Sequence, residues 1–348
     1  MQTLIAALGS AALITLPAMA QSQTETAQAI FDQFAAGYPA LNATVMVNGE
    51  IVFEAEGGTM RSDHDGVDTD YNVYSTAKMF TGLAFARLEA HQGLDLDQSV
   101  RNIDPALPDP YQDVTLRQLL SHTAGVRGYT GDTDWIAFND LRCELPSDAL
   151  GHFINDPLIH APGARHEYTT YGFVLLSHLL VELTGADSFD AAMEQTLGDA
   201  YLAHKDSLTA DKATPYFDAG EGLEPMPLSA ECKFGGGGLI ASSRDLAAMG
   251  SALVEGQLLS AEEIDAAFQP IQTTGGDAVS YVYGMEAGFE PSLNLHYAAH
   301  SGGSPGGRSF VMAYVEPQVV VATTGNADGD NHYPLALALA DLFAGYAR

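Results

Sequence analysis

Strand-like runs near the two ends of the chain, with a long stretch of short helical segments between them, predict a mixed α/β protein of the α+β kind. The expected architecture is an antiparallel sheet flanked by N- and C-terminal helices, with a mostly helical subdomain inserted. No internal repeat or low-complexity linker divides the 348 residues, which argues for one interleaved unit rather than sequential domains. The chain carries a formal charge of −31, from 14 Lys+Arg against 45 Asp+Glu, yet 46% of it is hydrophobic. Burying that much apolar surface offsets the entropy of ordering the chain, so the charge does not signal disorder.

Met1–Ala20 has no charged side chain, runs apolar from Leu4 to Leu16, breaks at Pro17 and ends in the small-x-small pattern Ala18-Met19-Ala20. It reads as a secretory signal peptide, and the mature chain from residue 21 is expected to be exported to a bacterial periplasm or the extracellular medium. No later segment is long enough to span a membrane. Apolar periodicity predicts a helix over Glu25–Ala36. Ala43–Val47, Asn48-Gly49 and Ile51–Ala55 then read as strand, tight turn and strand. Ser75–Ala90 places Ala77, Phe80, Leu83, Ala84 and Leu88 at helical spacing and stops before Gly93. Further helices are expected over Leu116–Leu120, Ser147–Ile154, Phe173–Leu183, Asp190–Leu197 and Ser243–Val254. Strands return at Val279–Met285, Leu293–Ala299, Ser309–Val315 and Val319–Thr324, and Pro334–Ala347 closes as a helix. A sheet lobe of about 40–60 plus 279–348 and a helical lobe of about 75–260 follow from this pattern.

Composition narrows the function classes. A nucleic-acid binder needs a basic footprint, and here acidic residues outnumber cations threefold. Cys143 and Cys232 form no Cys-x-x-Cys, so thiolate zinc is not expected; one disulfide and two buried thiols both fit the pair. His296 and His300 are four apart in an extended run rather than a helix, and no His-Glu-x-x-His occurs. Asn326-x-Asp328-x-Asp330 opens like a calcium loop but has Asn331 in place of the glycine and Leu337 in place of the closing glutamate. No metal or other cofactor is expected.

The chemistry begins at Ser75-Thr76-Ala77-Lys78. Residues i and i+3 share one helix face, which puts the Lys78 amine one turn from the Ser75 hydroxyl. A hydroxyl is a weak nucleophile until something takes its proton, and a desolvated, neutral lysine can do so. Only four lysines occur in the chain, which gives this spacing weight. Tyr168, in His166–Phe173, precedes an apolar helix, where a phenol can face a cleft. His300-Ser301-Gly302-Gly303 follows a strand and lies in a glycine-rich run, Gly302 to Gly307, where backbone can approach a ligand with no Cβ in the way; the same run also suits a hairpin loop.

In this order the three segments resemble the serine beta-lactamase and penicillin-binding-protein superfamily, especially its class C-like branch and the mitochondrial serine beta-lactamase-like proteins. Leu119–Val126, Asn155–Leu158 leading to Pro162-Gly163, and Gly235–Ser242 support the likeness, which covers about Ala43 to Asn326. The resemblance implies that Ser75 is the acylated nucleophile, Lys78 its proton partner and Tyr168 the group that relays a proton to and from the leaving group. It further implies that the Ser75 and Gly303 amides form the oxyanion hole, with His300, Ser301, Gly302 and Thr170 binding substrate.

Two departures argue against an efficient beta-lactamase. Thr170 puts a hydroxyl where the family's Tyr-x-Asn has an amide. His300-Ser301-Gly302 replaces Lys-Thr-Gly and removes a permanent cation. Tyr74 is bulky for the position before the nucleophile and is expected to narrow the cleft; Arg308 reads as a salt-bridged surface residue. The expectation is therefore an exported serine hydrolase acting on a small-molecule or peptide ester or amide. A non-catalytic binding protein of the same fold and a true class C-like beta-lactamase are the alternatives.

Overall fold

The computed structural model describes residues 15–59, 66–218, 220, 222–226, 229–291, 294–329 and 332–346. The expected leader lies outside them from residue 1 to residue 14. The central feature is an antiparallel sheet ordered Tyr281–Val282, Met285–Glu290, Leu295–Ser304, Gly307–Tyr314, Val319–Gly325, Leu41–Val47 and Glu50–Gly57. Strands from the C-terminal third thus pair directly with the first hairpin, so one sheet closes on material from both ends of the chain.

Its two faces explain why these strands read as continuous apolar runs. Successive side chains point to opposite faces. Val311, Ala313, Val320 and Ala322 face the helical lobe, while Phe310, Met312, Tyr314, Val319 and Val321 face the terminal helices Thr15–Ala35 and His332–Tyr346. Both sets are buried, so no polar alternation survives. Ser243–Val254 packs across the face turned to the helical lobe, Ala77–Gln92 meets its edge at Met285–Glu290, and Thr170–Thr184 packs behind Ala77–Gln92 in the same apolar core. Ser243–Val254 matches its expected span and is capped by Ser242, whose hydroxyl accepts from the Asp245 amide. Among the described residues no helix is long and apolar enough to cross a membrane.

Several expectations need correction. The N-terminal helix begins at Thr15 rather than Glu25 and runs through the expected cleavage point at Ala20. The run Val279–Met285 is not one strand: Tyr283 (φ +46°) and Gly284 (φ +73°) turn the chain between Tyr281–Val282 and Met285–Glu290. The cause lies far away in sequence. A Cβ on Gly284 would come within 2.1 Å of the Lys78 carbonyl oxygen, and one on Gly82 within 1.6 Å of that of Tyr283, so this turn is wedged against the helix that carries Lys78. The strand expected to end at Ala299 runs on through His300–Gly303 to Ser304, and the glycine-rich run makes its hairpin turn at Pro305-Gly306. The helix expected from Phe173 starts at Thr170, capped by Thr169. Pro146–Leu150 is shorter than expected, and Asp132–Asn139 is a helix the periodicity did not suggest.

Cys143 and Cys232 are joined by a disulfide across 89 residues. It ties the segment before Pro146–Leu150 to the Glu231–Gly236 turn. Closing a loop of that length restricts the unfolded chain, so replacing both cysteines by serine should lower the unfolding free energy by about 3–5 kcal/mol. Urea denaturation checks this; a loss below about 1 kcal/mol would contradict the cross-link's role in the unfolded state.

Candidate active site

Ser75 sits in a 3₁₀ turn, Tyr74–Thr76, that runs directly into the helix Ala77–Gln92. Tyr74 holds a left-handed conformation (φ +46°), sparsely populated for a side chain of this size, so its surroundings must fix it. They do: its ring is buried and its hydroxyl donates to the Pro305 carbonyl (3.4 Å). Tyr74 therefore anchors the turn under the hairpin and does not narrow the cleft, contrary to the expectation from its bulk.

Glycines let three backbones meet around this turn. A Cβ on Gly302 would fall 2.0 Å from the Val73 carbonyl oxygen, so only glycine permits the strand to pack there. Ser309 then donates to the same carbonyl (2.6 Å), which leaves Thr76 as the donor in its 2.7 Å bond to the Ser309 hydroxyl. On another side, a Cβ on Gly235 would lie 1.9 Å from Thr81 Oγ1, and one on Gly236 2.8 Å from the Thr170 carbonyl oxygen.

Lys78 is fully buried. Its Nζ donates to the Gly236 carbonyl (2.5 Å) and lies 3.2 Å from Ser75 Oγ. Among the described residues no carboxylate lies within ion-pair distance of it. Burial without a counter-charge holds its pKa well below the usual lysine value, and the charge of Lys233 lowers it further. The Tyr168 ring centroid is 4.9 Å from the same Nζ. Burial raises the Tyr168 pKa while a hydrogen bond with Ser75 opposes the rise. The tyrosine is 43% exposed, so solvent moderates this effect, but the group stays a protonated phenol.

His300 faces a carbonyl through Nδ1 (Ser301 O, 2.6 Å) and the Tyr281 hydroxyl through Nε2 (2.8 Å). A carbonyl only accepts, so Nδ1 carries the proton and Nε2 accepts from Tyr281. Burial, then the Lys78 charge, pushes the His300 pKa down to about 3, leaving the imidazole neutral. His122 is also buried and neutral, in a left-handed conformation (φ +57°). Its ring packs 4.3 Å from Tyr168, 4.6 Å from Tyr281 and 5.0 Å from Phe173. It buttresses the phenol from behind, a role sequence reasoning missed although His122 lies in the Leu119–Val126 stretch already singled out. Tyr281, the partner of His300, was hidden in an expected strand.

A cleft of about 330 Å³ is lined by Ser75, Tyr168, His300, Ser301 and Gly303 together with Tyr281 and Glu286. Lys78 lies beneath it. Gly302 serves the packing described above, and Thr170 begins its helix with its methyl group and carbonyl against Gly236 rather than lining this cleft. Two larger hollows, about 500 and 510 Å³, lie beside Asp70 and Lys212 and over the outer sheet face at Tyr314; neither contains Ser75. Arg308 pairs with Asp328 (3.0 Å). Among the described residues no group of three or more His, Cys, Asp or Glu side chains is arranged to hold a metal ion.

A lysine whose folded pKa lies below its unfolded value binds its proton less well in the native state, so the stability penalty is full at low pH and fades as pH rises toward the unfolded value. Lys78→Met removes that penalty. The stability of Lys78→Met relative to the parent chain should therefore be greater at pH 7 than at pH 9.5 in paired urea titrations; a pH-independent difference would contradict a buried, uncompensated amine.

Comparison with known proteins follows the same lines. The profile of the Beta-lactamase family matches residues 27–346. Penicillin-binding protein 4* of Bacillus subtilis (strain 168) is 24% identical over 302 residues, which cover 77% of this chain and 63% of that protein, so the match spans less than two thirds of this relative's length. A D-stereospecific amidohydrolase from Streptomyces sp. superposes with a TM-score of 0.71 at 22% identity, covering 93% of this chain and 98% of its own. EstCE1, described as a hydrolase with promiscuous acyltransferase activity, superposes with a TM-score of 0.75 at 17% identity, covering 94% and 100%. The structural likenesses show a shared fold, and the profile match over nearly the whole chain shows that the protein belongs to the Beta-lactamase family.

Proposed function

We propose that this chain is an exported serine hydrolase that cleaves ester or amide bonds through an acyl-enzyme on Ser75, closer to a peptidase or esterase than to an efficient beta-lactamase. The observation that carries the reading is the Lys78 amine, 3.2 Å from the Ser75 hydroxyl and with no carboxylate partner among the described residues.

In this mechanism neutral Lys78 takes the Ser75 proton as Oγ attacks the substrate carbonyl carbon. The amides of Ser75 and Gly303, both residues of the cleft lining, receive the oxyanion of the tetrahedral intermediate. Tyr168 gives its proton to the leaving nitrogen or oxygen as that bond breaks, and the proton held by Lys78 restores the phenol. Water then repeats the sequence on the acyl-enzyme, with the same pair as base and acid, and Ser75 regains its hydrogen. Every proton is returned, and each step uses the chain's own groups.

Two features favour substrates other than penicillins. Neutral His300 offers no fixed positive charge to a substrate carboxylate from its strand. Thr170 lies off the cleft and supplies no amide. The amidohydrolase and hydrolase descriptions of the two structural neighbours lean the same way. Export rests on the pattern of Met1–Ala20, and a disulfide suits an oxidising compartment.

The test is labelling with a fluorophosphonate, followed by peptide mapping. The probe should attach to Ser75 and fail to attach to Ser75→Ala. Lys78→Ala and Tyr168→Phe should each slow ester turnover by about 10²–10⁴-fold with near-UV circular dichroism unchanged. Undiminished turnover in Ser75→Ala would refute the reading. Labelling without turnover of any ester or amide would instead favour a binding protein of the same fold.

A further inference from the structure

The four lysines of the chain have sharply different surroundings. Lys212 is paired with Asp206, Lys205 donates to the Cys143 carbonyl, and Lys78 serves the site. Lys233 stands apart. It is only 5% exposed, and among the described residues its ammonium has no hydrogen-bond acceptor and no ion-pair partner. What it does face is the ring of Trp135, 5.4 Å away, the only tryptophan of the chain.

Its path leads to the nucleophile. Lys233 belongs to the Glu231–Gly236 turn, the segment whose Gly236 carbonyl holds Lys78. A Cβ on Gly237 would sit 3.6 Å from Lys233 Cδ and 3.4 Å from the Tyr74 carbonyl carbon, so the lysine stem runs beside the peptide that leads into Ser75. It fills space that any side chain at position 237 would claim. The Lys233 charge is among the causes that depress Lys78. Burial brings Lys233 itself down to about 8, so it is still mostly charged at neutral pH. Asp206 acts on this charge only from beyond ion-pair distance, and an aromatic face compensates a buried charge only in part. Such a group is completed by an anion from outside.

We propose that Lys233 is a specificity-determining residue: beside the face of Trp135 its ammonium receives a carboxylate carried on the acyl part of the substrate, selecting esters or amides of acids that bear a second, anionic group. This rests on Ser75 being the acylated nucleophile. The cation missing from the His300 strand is then supplied from the Glu231–Gly236 turn. The negative charge of the whole chain opposes such substrates from a distance but is screened at physiological salt, whereas a buried contact is not.

The experiment compares p-nitrophenyl monoesters of succinic, glutaric and adipic acid with the esters of the matching uncharged acids, at 0.15 M salt, in the parent chain, Lys233→Gln and Lys233→Arg. The parent should prefer at least one carboxylated ester. Lys233→Gln should lower the ratio of kcat/KM for that ester to kcat/KM for the uncharged ester by about tenfold or more, over and above any change in Lys78 that affects both, with Lys233→Arg largely retaining the ratio. Equal losses on both ester types would overturn the proposal and leave Lys233 as an electrostatic neighbour of Lys78; so would absence of any preference in the parent. Fluorophosphonate labelling of Ser75 in the same samples separates the two readings, since labelling with no selectivity sinks only the Lys233 assignment. Should Lys233→Gln not fold, free glutarate must slow Ser75 labelling of the parent chain more than butyramide does, and equal protection counts against the proposal.

Discussion

An amine buried where only a carbonyl and a hydroxyl can receive it is the constraint on which this site turns. Lys78 has the Gly236 oxygen on one side and Ser75 Oγ on another, with the Tyr168 and Phe173 rings over it. A carboxylate in either place would hold the lysine charged and useless as a base. Its absence makes the neutral amine accessible near neutral pH, at a cost in stability that the packed core must offset. The same logic reaches the two imidazoles nearby. His122 and His300 are both kept neutral, chiefly by burial, so neither imidazole adds a positive charge to the cleft that Glu286 lines beside Ser75.

Close approach of backbone to backbone is what makes such burial possible. Gly302 against Val73, Gly235 against Thr81, and the reciprocal pair Gly82 and Gly284 bring a strand, a turn and a hairpin onto the two ends of one short helical segment. Each contact excludes even a methyl group. The disulfide at Cys232 then ties the Gly235–Gly236 segment to the helical lobe, so the carbonyl that positions Lys78 is fixed from both directions.

This pattern also decides what could be read from sequence. Ser75 and Lys78 were legible because their relation is local: three residues along one helix. Tyr168 and the Gly303 amide were singled out only through resemblance, since nothing local sets a tyrosine that faces a cleft apart from a packed one. The turn at Tyr283-Gly284 and the extension of the strand through His300–Gly303 were not legible because their causes lie some 200 residues away, at Lys78 and Val73, and a glycine-rich run suits strand and loop alike until the partner backbone is seen. His122 and Lys233 carry no local signal at all. Their meaning comes from what surrounds them and, for Lys233, from what does not.

The protonation state of Lys78 tests the account most directly. Because the chain contains only four lysines, ¹⁵N labelling at lysine Nζ gives four side-chain signals, assigned by Lys78→Met and Lys233→Gln. Titration by heteronuclear NMR should find Lys78 losing its proton well below the usual lysine range. A Lys78 that stays charged up to the ordinary value of 10.5 would contradict the claim that burial makes it the base for Ser75.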